Sequence, residues 1–269
     1  MKGAYYNEWE PYPAQWLRNL IKANIIAPGD VDERSIKDVK AEDLKDYTQC
    51  HFFAGIGGWS YALRRAGWPD TKPVWTGSCP CQPFSGAGKK RSFLDERHLW
   101  PEFFRLIHLK KPPICFGEQV ASPAGMDWLD HVCADMENEN YAVGAADLCA
   151  AGVGAGQIRQ RLYWMAYALG GPAAGRESGS TRCGGPDFRE QEKETKRSSS
   201  TDSLGGLICC DSDIQWLPSP DGKQRPIKSG LCLLADGIPF RTLQTRAYGN
   251  AIVPQVAQAF IEACMKVRP

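Results

Sequence analysis

Phe52-Phe53-Ala54-Gly55-Ile56-Gly57-Gly58-Trp59-Ser60-Tyr61-Ala62-Leu63-Arg64-Arg65-Ala66 is the stretch on which the fold turns. Cys50 to Ala54 is apolar and strand-like, Gly55, Gly57 and Gly58 break it, and Trp59 to Ala66 has helical composition. The order is strand, glycine turn, helix. A turn of this kind lets backbone N–H groups and a helix N-terminus approach an anionic or polar ligand, which suits a nucleotide-containing cofactor. The spacing lacks the full dinucleotide fingerprint, so a tight turn made for packing accounts for it equally well.

Working outward, residues 73–77 read as a short strand that runs into a loop carrying Cys79 and Cys81. Leu99 to Leu109 has helical spacing, and Pro113 to Gly117 reads as a buried strand ending at Glu118. Short strands alternating with helices predict an α/β fold with a mostly parallel sheet. From Gly170 to about Leu204 the composition shifts to Gly, Ser, Thr, Arg, Glu and Lys, an irregular excursion rather than core. Val253, Val256, Ala257, Phe260 and Ile261 place an amphipathic helix over residues 251–265. There is no internal repeat.

A chain of 269 residues can bury the core of one large domain, or of one domain and a small appendage. No apolar run approaches the roughly eighteen residues of a membrane span, and the start Met1-Lys2-Gly3-Ala4-Tyr5-Tyr6 lacks the apolar stretch of a secretory signal. The expected location is the cytoplasm. Eleven unevenly spaced cysteines then read as reduced thiols rather than a disulfide framework. The net charge is only +1, so any nucleic-acid contact must come from a local basic face.

Chemistry concentrates in Pro80-Cys81-Gln82-Pro83-Phe84-Ser85, with Lys89, Lys90 and Arg91 just beyond. Prolines stiffen the loop, and a positive environment lowers a thiol pKa and raises its nucleophilic thiolate fraction. Cys79-Pro80-Cys81 also fits half of a metal site, but no second pair at ligand spacing follows and no metal is expected. A buried inert cysteine is the remaining reading.

The neighbours make the pattern specific. Phe53-Ala54-Gly55-Ile56-Gly57-Gly58, Pro80-Cys81-Gln82-Pro83-Phe84-Ser85, Glu118-Gln119-Val120, Gln157-Ile158-Arg159-Gln160-Arg161 and Tyr248-Gly249-Asn250-Ala251-Ile252-Val253-Pro254 follow one another in the chain. In this order they resemble the motifs of the cytosine carbon-5 DNA methyltransferases. The resemblance implies a Rossmann-like S-adenosylmethionine-dependent methyltransferase fold with a mostly parallel sheet and a small target-recognition region. It implies methyl transfer from S-adenosyl-L-methionine to carbon 5 of a cytosine flipped out of duplex DNA, in a restriction-modification setting. Cys81 would add to carbon 6, Glu118 would hold ring nitrogen 3 and the exocyclic amine, Arg161 the ring carbonyl, and Arg159 would support them. The glycine turn from Phe53 through Ala54, Gly55, Ile56, Gly57 and Gly58 would hold the cofactor together with Leu99, Asn250 and Ala251.

The spacing departs from that family in one respect. Between Gly58 and Cys79 there is room for one helix and one strand, where the family has a further strand, helix and strand. The missing piece resembles the N-terminus: Tyr5-Tyr6-Asn7-Glu8-Trp9 as a strand ending in an acid and an aromatic, a helical stretch over residues 14–25, then Pro28-Gly29-Asp30-Val31. The expectation is a circular rearrangement in which the second and third strands come first. Glu8 would then bind the ribose hydroxyls, Trp9 stack on the adenine, and Asp30 with Val31 meet its amino edge, although exposed acids on a leader segment fit the same letters. Gln119 stands where the family has asparagine, and Ala251 where serine is common.

The expected organisation is a catalytic domain over residues 1–167, with 1–46 the rearranged part, a target-recognition region over 168–246 and a returning segment over 247–269. Arg176, Arg182, Arg189, Lys193, Lys196, Arg197, Lys223, Arg225 and Lys228 would supply phosphate contacts to duplex DNA beside Trp216 and Pro218. A monomer away from membranes is expected. The rival readings are a catalytically inactive DNA-binding homologue, and the same chemistry on RNA or with a modified cofactor.

Overall fold

The computed structural model describes residues 2–80, 99–155, 158–170, 214–218, 224–228 and 250–267, with the backbone alone for 214–218 and 224–228. The chain divides into a large unit, Met1–Leu169 with Asp213–Pro269, and a second unit, Gly170–Ser212. Cys81, the basic residues from Arg176 to Arg197 and Lys223 lie outside the described residues.

The elements of the large unit are β1 (Lys2–Asn7), α1 (Pro11–Lys22), β2 (Gly29–Asp32), β3 (Tyr47–Phe52), α2 (Gly58–Arg65), β4 (Val74–Gly77), α3 (Trp100–Lys110), β5 (Ile114–Val120), α4 (Pro123–Asn138), β6 (Tyr141–Cys149), β7 (Gln160–Ala168), β8 (Ile214–Pro218), β9 (Gln224–Lys228) and α5 (Pro254–Val267). Local chemistry sets several boundaries. Pro11, Pro101, Pro123 and Pro254 stand in the first turns of α1, α3, α4 and α5, where a missing N–H costs nothing. Ser122 caps α4 by accepting from Gly125 N–H at 3.0 Å. The helix expected over residues 14–25 starts earlier and ends before Asn24, whose φ of 55° is left-handed. β5 runs two residues past Glu118.

Seven strands form one sheet in the order β2-β1-β3-β4-β5-β7-β6. The first five are parallel, and β7 is antiparallel to both β5 and β6. β8 and β9 pair separately as an antiparallel hairpin. Paired residues share a face: Tyr6, His51, Thr76 and Phe116 form one row and Tyr5, Cys50, Trp75 and Cys115 the opposite one. The first row packs under α1, α2 and α5 through Leu17, Leu63, Val256 and Phe260. The second packs against α3 and α4 through Phe103, Leu106, Ile107, Trp128 and Val132. Helices thus cover both faces, as a parallel sheet requires.

The strand order bears on the expected rearrangement. In a doubly wound sheet of order 3-2-1-4-5, the two strands outside the glycine-turn strand follow it in the chain. Here β1 and β2 occupy those positions yet precede β3. The arrangement is not circular, however. A circular permutation would carry β3 and α2 to the C-terminal end, whereas they sit between β2 and β4. In this chain β1–α1–β2 precede β3–α2.

This chain order fixes an unusual connection. β1–α1–β2 steps toward the β2 edge over one face, while β4–α3–β5 and β5–α4–β6 step the other way over the opposite face. Reversing both direction and face preserves handedness, so these three units share a hand. β3–α2–β4 steps with the second group over the first face and has the opposite hand. About 98% of such crossovers are right-handed, which leaves β3–α2–β4 as the left-handed one.

Candidate active site

In an open parallel sheet the carboxyl ends of the strands form the ligand-binding rim. At the end of β3, Phe53, Gly55 and Gly57 all have left-handed φ, at 51°, 54° and 83°. Phe53 is held in that costly conformation by an edge-on contact with Phe103 at 6.3 Å and by Ala54 N–H donating to the Asn7 carbonyl at 3.0 Å. A Cβ on Gly57 would meet Leu17, Leu20 and Ile26 at 3.2–3.3 Å, and one on Gly58 would meet Ile252 Cγ1 at 2.7 Å. At Gly57 the left-handed backbone therefore favours glycine, and at Gly58 a Cβ would require Ile252 to shift. Ile56 and Gly58 also line a cavity of about 450 Å³ with Arg159, Ala251, Ile252 and Val253.

Glu8, one residue past β1, turns its buried carboxylate onto the glycine turn. Oε2 accepts from Gly55 N–H at 2.8 Å and Oε1 from Glu10 N–H at 2.9 Å. Burial pushes its pKa up, and the two N–H groups oppose that. Trp9 beside it is 68% exposed. Asp30 and Val31 are not brought to the rim. Asp30 pairs with Tyr5 inside β2 and its exposed carboxylate accepts from the Tyr47 hydroxyl at 2.7 Å, while Val31 packs toward the α1 face. The acid at the end of β2 is Asp32, a residue the sequence reading passed over. Its carboxylate accepts from Tyr5 at 2.7 Å and from the Arg34 guanidinium, and its carbonyl accepts from Glu8 N–H at 3.0 Å.

Glu118 stands at the same rim, on the face covered by α2. Gly117 before it must be glycine, because the Trp164 indole on β7 lies 2.3 Å from where a Cβ would stand. Antiparallel pairing sets Tyr163 opposite Glu118 and Arg161 opposite Val120. Arg161 Nε donates to Glu118 Oε1 at 2.9 Å, and the Ser78 hydroxyl hydrogen-bonds to the same carboxyl. Burial pushes the Glu118 carboxyl above the usual range, while Arg161, Arg159 and Ser78 pull it down. Arg159 Nη2 donates to the Ala251 carbonyl at 3.0 Å, which joins the arginine strand to the segment after exposed Asn250. Leu99, half-buried at the start of α3, packs against the core around Trp100 and Phe103.

The Ser78–Pro80 segment that leads to Cys81 is anchored where it leaves β4. Gln119 Nε2 donates to the Cys79 carbonyl at 3.4 Å, and Trp59 Nε1 donates to Ser78 Oγ at 3.0 Å. The Cys79 thiol is buried and burial pushes its pKa up, so this cysteine is inert. Among the described residues no cluster of His, Cys, Asp or Glu is arranged to hold a metal ion, and no helix is long and apolar enough to cross a membrane.

The rim thus joins a glycine turn, a buried glutamate with an arginine partner and the root of a cysteine loop. Residues 69–204, half of the chain, match the family of C-5 cytosine-specific DNA methylases. The chain belongs to that family. Among curated proteins it is similar to the Type II methyltransferase M.HhaI of Haemophilus parahaemolyticus, 35% identical over 92 residues, which are 33% of this chain and 28% of that protein. It is also similar to the Type II methyltransferase M.NgoMIV of Neisseria gonorrhoeae, 33% identical over 160 residues, 45% of this chain and 51% of that protein. This methylase-family chain therefore spans between about a quarter and a half of the curated relatives it matches. Among solved structures, a DNMT2 of Spodoptera frugiperda aligns with a TM-score of 0.39 and 14% identity, over 65% of this chain and 53% of that one.

Proposed function

We propose that this methylase-family chain transfers a methyl group from S-adenosylmethionine to carbon 5 of cytosine in duplex DNA, with Cys81 as nucleophile. The observation that carries the reading is the ion pair of buried Glu118 with half-buried Arg161 at the strand rim, beside the Ser78–Pro80 segment that leads to Cys81, within the stretch that matches the family.

The cofactor fits the residues present. Glu8 offers a buried carboxylate, whose two oxygens now accept backbone N–H groups, to ribose hydroxyls, and Trp9 offers an exposed indole beside it for the adenine. The strand end at Asp32 is offered to the amino edge of the adenine, with Asp30 and Val31 preceding it on β2. The turn from Phe53 to Gly58, with Ile56 and Ala251 in the adjoining cavity and Leu99 and Asn250 nearby in sequence to the motifs, holds the remainder. When bound, S-adenosylmethionine supplies an electrophilic methyl group.

Cytosine carbon 5 is a poor nucleophile. The Cys81 thiolate forms a bond to carbon 6, and the displaced electron pair moves toward carbon 5 and the ring nitrogens. Glu118, protonated more readily than an exposed glutamate because it is buried, donates its proton or a hydrogen bond to nitrogen 3 and stabilises that charge. Arg161 holds the ring carbonyl and keeps the Glu118 carboxyl oriented. Arg159 carries its charge into the same pocket and pins the Ala251 segment. Carbon 5, now nucleophilic, would take the methyl group as the methyl's bond to the sulfonium breaks and S-adenosylhomocysteine leaves. Loss of the carbon-5 proton to a water base, with the released electron pair expelling the Cys81 thiolate and Glu118 recovering its proton from nitrogen 3, would restore the aromatic ring. The base must leave the duplex for this, at a cost of a few kcal/mol. The exchanged order of segments 1–46 and 47–72 is inferred to be a rearrangement that leaves this site intact.

The test is incubation with S-adenosylmethionine and mixed-sequence duplex DNA, followed by digestion and mass spectrometry for 5-methylcytosine. Product is expected from the wild type and none from Cys81→Ala. Duplex DNA containing 5-fluorocytosine should trap a covalent adduct at Cys81. Turnover without an adduct would overturn the thiolate step, and no product on DNA would overturn the substrate.

A further inference from the structure

We infer that Ser78 is a positioning residue that fixes the Glu118 carboxyl relative to the glycine turn by bridging it to Trp59. The inference rests on the reading above, in which Glu118 meets the target base.

The sheet register makes the bridge. Gly77 of β4 pairs with Gly117 of β5, so Ser78 and Glu118 are the next residues on adjacent parallel strands and point to the same face. Trp59 reaches them from above. It is the second residue of α2, directly after the glycine turn, and its indole stacks on Phe116 at 5.9 Å and meets Tyr163 edge-on at 6.0 Å. Phe116 precedes Glu118 by two residues on its own strand, and Tyr163 is its partner across the ladder. Both flank the carboxyl.

Hydrogen-bond capacity then sets the direction of every proton. An indole N–H can only donate, so at 3.0 Å Ser78 Oγ must accept from Trp59 Nε1. The one hydroxyl proton of Ser78 is left for Glu118, with which Ser78 is hydrogen-bonded. Glu118 can accept it in either protonation state, through a carboxylate oxygen or through the carbonyl oxygen of the acid. Arg161 Nε donates to the same carboxyl from the other strand. The Ser78 hydroxyl and the Arg161 guanidinium thus both face the carboxyl, and its remaining capacity is left for nitrogen 3 of the base. The chain Trp59–Ser78–Glu118 therefore joins the cofactor turn to the group that holds the target, and neither Trp59 nor Ser78 need touch either ligand.

Two measurements test this. In the first, the Glu118 carboxyl is titrated by carbon-13 NMR in the protein without cofactor or DNA, its signal assigned by its absence in Glu118→Gln. Ser78→Ala, which removes a donor to the ionised form, should move the titration to higher pH, and Ser78→Thr, which keeps the hydroxyl, should return it toward wild type. In the second, methyl transfer is followed against pH. Ser78→Ala should lower kcat roughly ten- to a hundredfold, the scale of one hydrogen bond to a charged group, and move the alkaline limb of kcat to higher pH. KM for DNA should stay within about twofold, because the lost contact is not with substrate. Trp59→Phe should lower kcat with KM unchanged. An unshifted titration in folded Ser78→Ala, or equal loss in Ser78→Ala and Ser78→Thr, overturns the bridge. A wild type that transfers no methyl group while its Glu118 titration responds to Ser78 counts against the cytosine reading and for the bridge. An active enzyme with an unresponsive titration is the reverse.

Discussion

Glu118 is the residue at which fold and chemistry conflict most openly. Burial raises its pKa and its arginine neighbours lower it, with burial the larger influence. A carboxyl whose folded-state pKa lies above its unfolded value contributes stability below the ordinary carboxyl value near 4.5 and loses it as pH rises through the folded pKa. Relative to wild type, Glu118→Gln should therefore gain thermal stability as pH rises from about 4.5 toward neutrality, whatever constant penalty Arg161 suffers from losing its partner. Calorimetric Tm differences across that window check the sign, and a difference that shrinks with pH would contradict it. The same variant should lose roughly 10²–10⁴-fold in kcat, the usual worth of a placed general acid. Glu8→Ala should weaken S-adenosylmethionine binding by about tenfold or more, the loss of a hydrogen bond to a charged group. Titration calorimetry reads it directly, and unchanged affinity would return Glu8 to the role of a turn-capping acid.

The glycine turn belongs to three elements at once. Its left-handed residues end β3, its last glycine opens α2, and Ile252 from the far end of the chain rests on that glycine. A methyl group at Gly58 has nowhere to go, since Ile252 Cγ1 stands 2.7 Å away on a β-branched side chain with little freedom. Gly58→Ala should cost about 1–3 kcal/mol, the range for overpacking a core. Gly58→Ala combined with Ile252→Ala should recover part of it, so denaturant unfolding of the two single variants and the double one should be non-additive. Additive losses would mean that the contact is not the cause.

For the whole molecule, the proposed exchange of segments 1–46 and 47–72 would preserve every strand position of a doubly wound sheet at the cost of one left-handed crossover. Strand positions depend on which faces pack, and connections run over the surface. A chain reconnected in the order 47–72, 1–46, 73–269, with short glycine-rich joins, would replace that crossover with right-handed ones. It should fold to the same sheet, with an unchanged far-ultraviolet circular dichroism spectrum and cofactor affinity within a few-fold. Failure to fold would show that the surface connections of residues 33–46 and 66–73 carry stability of their own.

Much of this was legible in the letters. The strand-turn-helix at Phe52 to Ala66 and the α/β alternation follow from residue types at short range, where period and glycine placement reflect local backbone physics, whereas Glu118, Arg159 and Arg161 were grouped only by the resemblance of their motifs to the methyltransferase family. The N-terminal strand is readable too, as an apolar run over Ala4 to Tyr6 that ends before Glu8 and Trp9. What the letters do not carry is register. Asp30 and Asp32 are equally acidic in sequence, and only the pairing of Asn7 with Asp32 decides which of them reaches the rim. Ser78 is an ordinary serine until Gly77 pairs with Gly117 and sets it beside Glu118. The hand of β3–α2–β4 depends on the sheet order together with the face on which α2 packs. Sequence determined the chemistry available to this protein, since that resides in side chains; tertiary structure decided which groups act together, since that depends on strands meeting across gaps no local pattern records.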